Sequence, residues 1–395
     1  MEIKLGVTET IVAAAILYGI GAWLVGRLSL LRRYCIPPPL VGGLIFATIN
    51  TWLHVTGRGS VSFHGGIQSF LMLLFFTTVG FTVRIPLLKQ GGKAVIRCLV
   101  LASILTLAQN VLGAGVLYGM GADPRLGLAV GSISLVGGPG TAAAFGPVLE
   151  EAGAIGGSVV GISAATFGLV MGSIMGGPVA EKLIQRHGLA GDVWDGPELT
   201  LDETPARRTT WAHIGRMAVL TAFCMAVGVL LARVFTDWTG ITLPDYIGGM
   251  ILAACVRNTT NMTEEEFPDR ETDFVGNIAL CFFLTMAMMS LRIWELADLA
   301  GPLVAALALQ TVMMLVFSWW VVFPQLGRSY EAAVMTAGFI GFSMGATSTA
   351  VANMQAVTRR HGPSPTAFFV IPTVGGMFID FVNVFVITAM IPMLG

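Results

Sequence analysis

"GFSMGATSTAVANM", residues 341–354, decides how this chain is read. Its middle, Gly345 to Ala350, holds only glycine, alanine, threonine and serine. The surrounding chain is 55% hydrophobic and only 11% charged over 395 residues. Soluble domains carry about 25% charged residues, so this is the composition of an integral membrane protein. In hydrocarbon every backbone N–H and C=O needs a partner, and lipid-facing positions call for large apolar side chains. A run of small hydroxyl residues and glycine therefore belongs inside protein or beside a water-filled cavity.

Composition excludes several function classes. A formal net charge of −1 and the lack of a basic arm argue against a nucleic-acid partner. The five cysteines (Cys35, Cys98, Cys224, Cys255, Cys281) show no CxxC spacing and read as free buried thiols. No metal-ligand spacing and no nucleophile–base motif occurs, so neither an enzyme nor a cofactor is expected. The first apolar run, 8–31, is too long for a signal-peptide core and is expected to be a retained span.

Further apolar runs fall at about 37–55, 66–84, 93–121 and 156–185, then, after a polar stretch, at 211–236, 240–257, 273–292, 297–325 and 362–394. Two small-residue segments remain, at about 127–150 and 330–358. With the N-terminus outside, Lys4, Arg58, Arg125, Arg233 and Arg292 are external. The rest of the 22 Lys and Arg residues are internal. This positive-inside bias requires that the two small-residue segments do not cross. They are predicted to enter and leave by one face.

The two halves also match. "PPLVGGLI" (38–45) parallels "PDYIGGMI" (244–251), and "FFTTVGFTVR" (75–84) parallels "FLTMAMMSLR" (283–292). "VGGPGT" (136–141) lies opposite "GFSMGA" (341–346) in the same order. An odd number of crossings per half inverts the second half in the membrane, the plan of many secondary transporters. The expected fold is therefore an all-α integral membrane protein. Ten transmembrane helices form two inverted five-helix repeats, each with a re-entrant helical hairpin. Residues 1–187 make the N-terminal repeat and 211–395 the C-terminal one. The stretch 188–210 connects them on the inner side, and both termini lie outside.

In "SLVGGPGTAAAFG" (134–146), proline and glycine predict a helix–turn–helix, with a helix starting near Thr141 or Ala142. "GATSTAVANM" offers the same design. Helix N-termini carry about half a positive charge and favour anionic groups. The inverted topology brings the two tips together near the midplane. The candidate substrate residues are Gly137, Gly138, Pro139, Gly140 and Thr141 in the first tip. In the second they are Gly345, Ala346, Thr347, Ser348, Thr349 and Asn353. Asp380, in "GGMFIDFVNVFVI" (375–387), is an acid inside a span, a costly placement with a functional reason. Asn383 shares its helix face, and the two supply oxygen donors suited to Na⁺. Thr77 is a further candidate Na⁺ ligand, and Gln109, Asn110 and Gln310 are candidates to bridge spans. Arg84 and Arg292 occupy matching repeat positions, at span ends or facing an anion. These residues leave open a sodium-coupled carrier, a Na⁺/H⁺ exchanger and a channel. Two unlike loops in one chain favour a carrier.

Residues 344–387, "MGATSTAVANMQAVTRRHGPSPTAFFVIPTVGGMFIDFVNVFVI", closely resemble the C-terminal signature of the bacterial sodium:glutamate symporter family. "GGPGTAAAFGPVLEE" (137–151) and "ATFGLVMGSIMGGPVA" (165–180) resemble the matching region of its first half. The resemblance implies Na⁺-driven glutamate uptake across the cell inner membrane, with a cytoplasmic connecting loop. It also implies an architecture similar to the sodium:citrate carriers, hence a homodimer with an elevator-like movement. Where the family usually reads Gly-Gly-His-Gly-Thr, this chain has Pro139 in place of the histidine.

Overall fold

The computed structural model describes residues 2–33, 36–85, 92–189, 211–239, 244–259, 267–293 and 299–395. Cys35 and nearly all of the connecting stretch 188–210 lie outside the described residues. The first half contains α1 (Val7–Arg27), α2 (Ser29–Arg33), α3 (Pro38–Val55), α4 (Gly65–Thr82) and α5 (Gly92–Gly119). It continues with α6 (Leu126–Ala129), α7 (Ser132–Leu135), α8 (Gly138–Glu151) and α9 (Gly157–His187). The second half contains α10 (Trp211–Thr239), α11 (Asp245–Thr259), α12 (Asp269–Met289) and α13 (Ala300–Gln325). It ends with α14 (Tyr330–Ser343), α15 (Thr347–His361) and α16 (Pro365–Met390). Among the described residues, eight helices are long and apolar enough to cross a membrane: α1, α4, α5, α9, α10, α12, α13 and α16. At 18 and 15 residues, α3 and α11 fall outside that set.

One departure from an all-α reading is small. Glu2–Lys4 (β1) pairs in parallel with Ser60–Ser62 (β2), tying the N-terminus to the α3–α4 connection. The four described cysteines are free as expected, with Cys98 and Cys224 buried. Cys255, however, is exposed on an apolar helix and Cys281 is half-buried. Lipid, unlike water, imposes no penalty on an outward-facing thiol, so apolar sequence does not imply burial in protein.

Helix crossings are set by glycine, and the same crossings occur in both halves. Gly21 of α1 lies against Pro38 O and Gly42 of α3, and Gly228 of α10 lies against Gly248 and Gly249 of α11. Gly43 of α3 meets Thr285 and Met288 of α12, while Gly249 of α11 meets the Thr77 hydroxyl of α4. Small residues let transmembrane backbones approach closely and gain dispersion contacts. A Cβ built on Gly42 would sit 1.9 Å from the carbonyl oxygen of Leu17, a backbone atom that cannot rotate away. Gly42→Val is therefore expected to exceed the ~1–3 kcal/mol usual for overpacking. It should lower the apparent Tm of the detergent-purified protein, measured by thermal unfolding. An unchanged Tm would mean that the crossing is looser than described.

Polar contacts gather at two ends of the helices. At one end are the β1–β2 pair, the Asp123–Arg125 pair and the Arg233–Asp245 pair at 3.3 Å. At the other, Asp269 meets Arg84 at 2.7 Å and Arg257 at 3.2 Å. Glu181 meets His361 at 3.2 Å and Arg360 at 3.8 Å.

Candidate functional site

Two broken helical segments build the site. In the first, α6 and α7 are short because Gly131 and Gly137 interrupt them, and α8 follows. The α8 helix begins at Gly138, earlier than the expected Thr141 or Ala142, with Pro139 in its first turn. Proline is tolerated there because a first-turn N–H has no helical partner to lose. The segment's two ends are joined at its base. The Arg125 guanidinium donates to the Ala152 carbonyl and grips Asp123, with Nη2–Oδ2 at 2.6 Å. Its hydrogen bonds hold the Asp123 carboxyl below the ordinary carboxylate range.

In the second segment, α14 and α15 are joined through Met344–Ala346. Its base is closed by Tyr330, whose hydroxyl donates to the Gly362 carbonyl, and by Ser364, which donates to Glu331 at 2.8 Å. Ala346 is extended (φ −160°, ψ 164°) and turns the chain into α15. Thr347 donates to the Gly375 carbonyl at 2.9 Å, in a π-helical turn of α16 at Val374–Phe378. A wide turn leaves carbonyls poorly used within the helix, and one of them here holds the tip.

The two tips touch. Gly138 has φ +65°, the left-handed region that favours glycine, and a Cβ there would lie 3.0 Å from the Gly345 carbonyl oxygen. Around this contact is a cavity of about 290 Å³. Gly137, Gly138, Pro139, Gly140 and Thr141 line it from one tip, and Gly345, Ala346, Thr347 and Ser348 from the other. Asp380 of α16 completes the polar side. The N-termini of α8 and α15 both open on this space, a favourable place for an anion.

The family model described as "Sodium/glutamate symporter" matches residues 3–363. The sodium/glutamate symporter of Escherichia coli (strain K12) is 38% identical over 383 residues, covering 96% of this chain and 95% of that protein. That of Shigella flexneri matches equally. That of Haemophilus influenzae is 37% identical over 95% of this chain and 94% of its own length. The chain belongs to the sodium/glutamate symporter family. The family's described activity is transport, not catalysis, and with eight apolar helices of sufficient length the chain is a multi-pass membrane protein.

In this member of the sodium/glutamate symporter family, nine of the tip candidates and Asp380 share one cavity. The Asp380 carboxylate has no hydrogen-bond or ion-pair partner among the described residues, and no Lys, Arg or His lines the cavity. Four other candidates lie off its lining. Thr349 is buried directly behind Gly345. Asn353 donates to Gly172 O at 2.9 Å on the far side of α15, in a second cavity with Glu181 and Lys182. Asn383 donates to the Ser132 carbonyl at 3.0 Å, the carbonyl that also receives Gly137 N at the first tip. Thr77 bonds back to Leu73 O of its own helix, as mid-helix threonines commonly do.

Gln109, Asn110 and Gln310 do bridge segments: Gln109 to Ser343 O, Asn110 to Ser132 N, and Gln310 to Gln109 O. Arg84 is held by Asp269, and Arg292 lines a separate cavity with Glu150. The sequence reading missed the apolar wall, where Phe75, Phe76 and Val79 of α4 face Leu280 and Leu284 of α12. Apolar residues in a span give no signal of lining a site. Phe75, Phe76, Val79 and Leu284 fall within the repeat match of 75–84 with 283–292, and Leu280 lies outside it.

Proposed function

We propose that this protein is a secondary carrier that takes up glutamate together with Na⁺. The observation that carries the reading is the cavity itself. Two helix N-termini, the Thr347 and Ser348 side chains, the glycine-rich tips and one carboxylate without a protein partner converge on about 290 Å³. The substrate carboxylates suit the N-termini of α8 and α15 and the Ser348 hydroxyl, since the Thr347 proton is used on Gly375 O. Asp380 suits a hard cation, with carbonyls of the tips as neutral oxygen donors. Asn383 acts behind the site by holding the first tip to α16. The family membership and the names of its relatives support both glutamate and Na⁺.

The proposed architecture has ten crossings, α3 and α11 included, in two inverted five-helix repeats. The matching glycine crossings α1–α3 and α10–α11 support it. The two broken segments are read as re-entrant, which their joined bases and touching tips support. The termini then lie outside, the connecting loop in the cytoplasm, and the protein in the cell inner membrane as an elevator-type homodimer. Coupling requires that the loaded and empty carrier move while the half-loaded one does not, so the ion must bind the outward and inward states differently.

Uptake of labelled glutamate into proteoliposomes, with and without a Na⁺ gradient, tests the reading. The expected result is accumulation only with inward Na⁺, and competition by close dicarboxylate amino acids within a panel of organic anions. Equal uptake in both conditions, or preference for another anion class, would overturn it.

A further inference from the structure

Behind the second tip lies a buried polar cluster that the glutamate cavity does not include. Gln109 of α5, Gln310 of α13 and Ser343 at the end of α14 are all 0% exposed. Two hydrogen bonds tie them together. Gln310 Nε2 donates to Gln109 O at 2.7 Å, and Gln109 Nε2 donates to Ser343 O at 3.0 Å. Both amide nitrogens are thereby used. Among the described residues, Gln109 Oε1, Gln310 Oε1 and Ser343 Oγ are left buried with no partner. Buried polar atoms are nearly always satisfied, so three orphans in one linked cluster call for a ligand.

We infer that this cluster is a second sodium site, separate from Asp380. The claim rests on the sodium-coupled glutamate reading above. Three observations point to a cation rather than a water. First, every orphan atom is oxygen, the donor type of hard cations. The neighbouring cluster is the contrast: Asn110 Nδ2 is an unpartnered donor there, beside Ser132 and Asn383, and a cation could not satisfy it. Second, Ser343 closes the 14-residue α14, and a helix C-terminus carries partial negative charge that attracts cations. Third, charge must balance. Glutamate brings a net negative charge to a cavity that already holds Asp380 and no basic lining. With Asp380 ionised, one Na⁺ leaves an excess negative charge in a low-dielectric interior, and a second removes it. The ion would also fix the turn after Ser343, whose Gly345 and Ala346 line the cavity.

The test uses the full chain in proteoliposomes, with labelled sodium and labelled glutamate counted together. About two sodium ions per glutamate are expected. Ser343→Ala and Gln310→Met should raise the half-saturating Na⁺ concentration at least roughly tenfold, the scale of loss when even a supporting partner of a metal site is removed. They should also flatten the Na⁺ dependence towards a single-ion curve. Na⁺ should raise the melting temperature of the purified wild type without glutamate, and less so in Ser343→Ala. If Gln310→Met does not fold, Ser343→Ala decides, since it removes only one hydroxyl. A wild-type ratio of one, or variants with unchanged Na⁺ dependence and Na⁺-induced stabilisation, would overturn the inference and leave only a water there. Absence of any Na⁺-driven glutamate uptake in the wild type is a different outcome: it would remove the functional reading itself, and this site with it.

Discussion

Asp380→Asn is expected to abolish sodium-driven accumulation of glutamate. The substitution keeps shape and volume and removes one charge. Among the described residues, Asp380 is the only acid lining the cavity and it has no protein partner. A unit charge about 4 Å from a cation contributes roughly 4 kcal/mol at an effective dielectric near 20. That corresponds to on the order of a thousandfold in Na⁺ affinity. The measurement is the Na⁺ dependence of glutamate uptake, with melting temperature as a control for folding. If the half-saturating Na⁺ concentration of the variant matches the wild type, Asp380 plays no part in ion binding.

The second large effect is expected at the contact between the tips. Gly138→Val places a β-branched side chain at φ +65°, a conformation that costs an L-residue about 1–2 kcal/mol. Its Cβ would also press on Gly345 O from 3.0 Å. The tips must separate, and the cavity between them changes shape. Transport should fall by at least roughly tenfold, while the melting temperature drops by only a few degrees, about what 1–2 kcal/mol produces. Gly115→Ala on α5, where a Cβ would meet nothing within 4 Å, is the comparison and should leave uptake unaltered. Wild-type uptake by Gly138→Val would show that the tips do not need to touch.

Much of this candidate site was legible because lipid is an unforgiving solvent. A glycine–hydroxyl run such as 345–349 and an acid such as Asp380 have no bland place in a span, so their chemistry marks them. The paired tips were legible for the same reason, and the structure brings nine of their residues to one cavity with Asp380. What could not be read was direction. Asn353 lies farther along the same helix as Thr347 and Ser348, yet helical rotation carries its amide to Gly172 on the opposite side. Thr77 has the right residue type, but its hydroxyl satisfies itself on Leu73. Asn383 shares a face with Asp380 by spacing, and its amide is spent on Ser132. The start of α8 was misplaced because proline was read only as a breaker. In a first turn it is a starter. Helix ends elsewhere agree to within a few residues, since hydropathy over a span averages away local error.

A membrane potential acts on any charge that crosses it, at about 2.3 kcal/mol per elementary charge per 100 mV. A cavity lined by Asp380 and, among the described residues, by no basic side chain is negative when empty if that carboxyl is ionised. Two sodium ions and one glutamate anion would then make the loaded carrier neutral. The loaded carrier would then travel without sensing the voltage, while the empty one is driven outward by an interior that is negative. In that arrangement the voltage acts on the resetting of the carrier, and over a whole cycle it adds to the sodium gradient in driving glutamate inward.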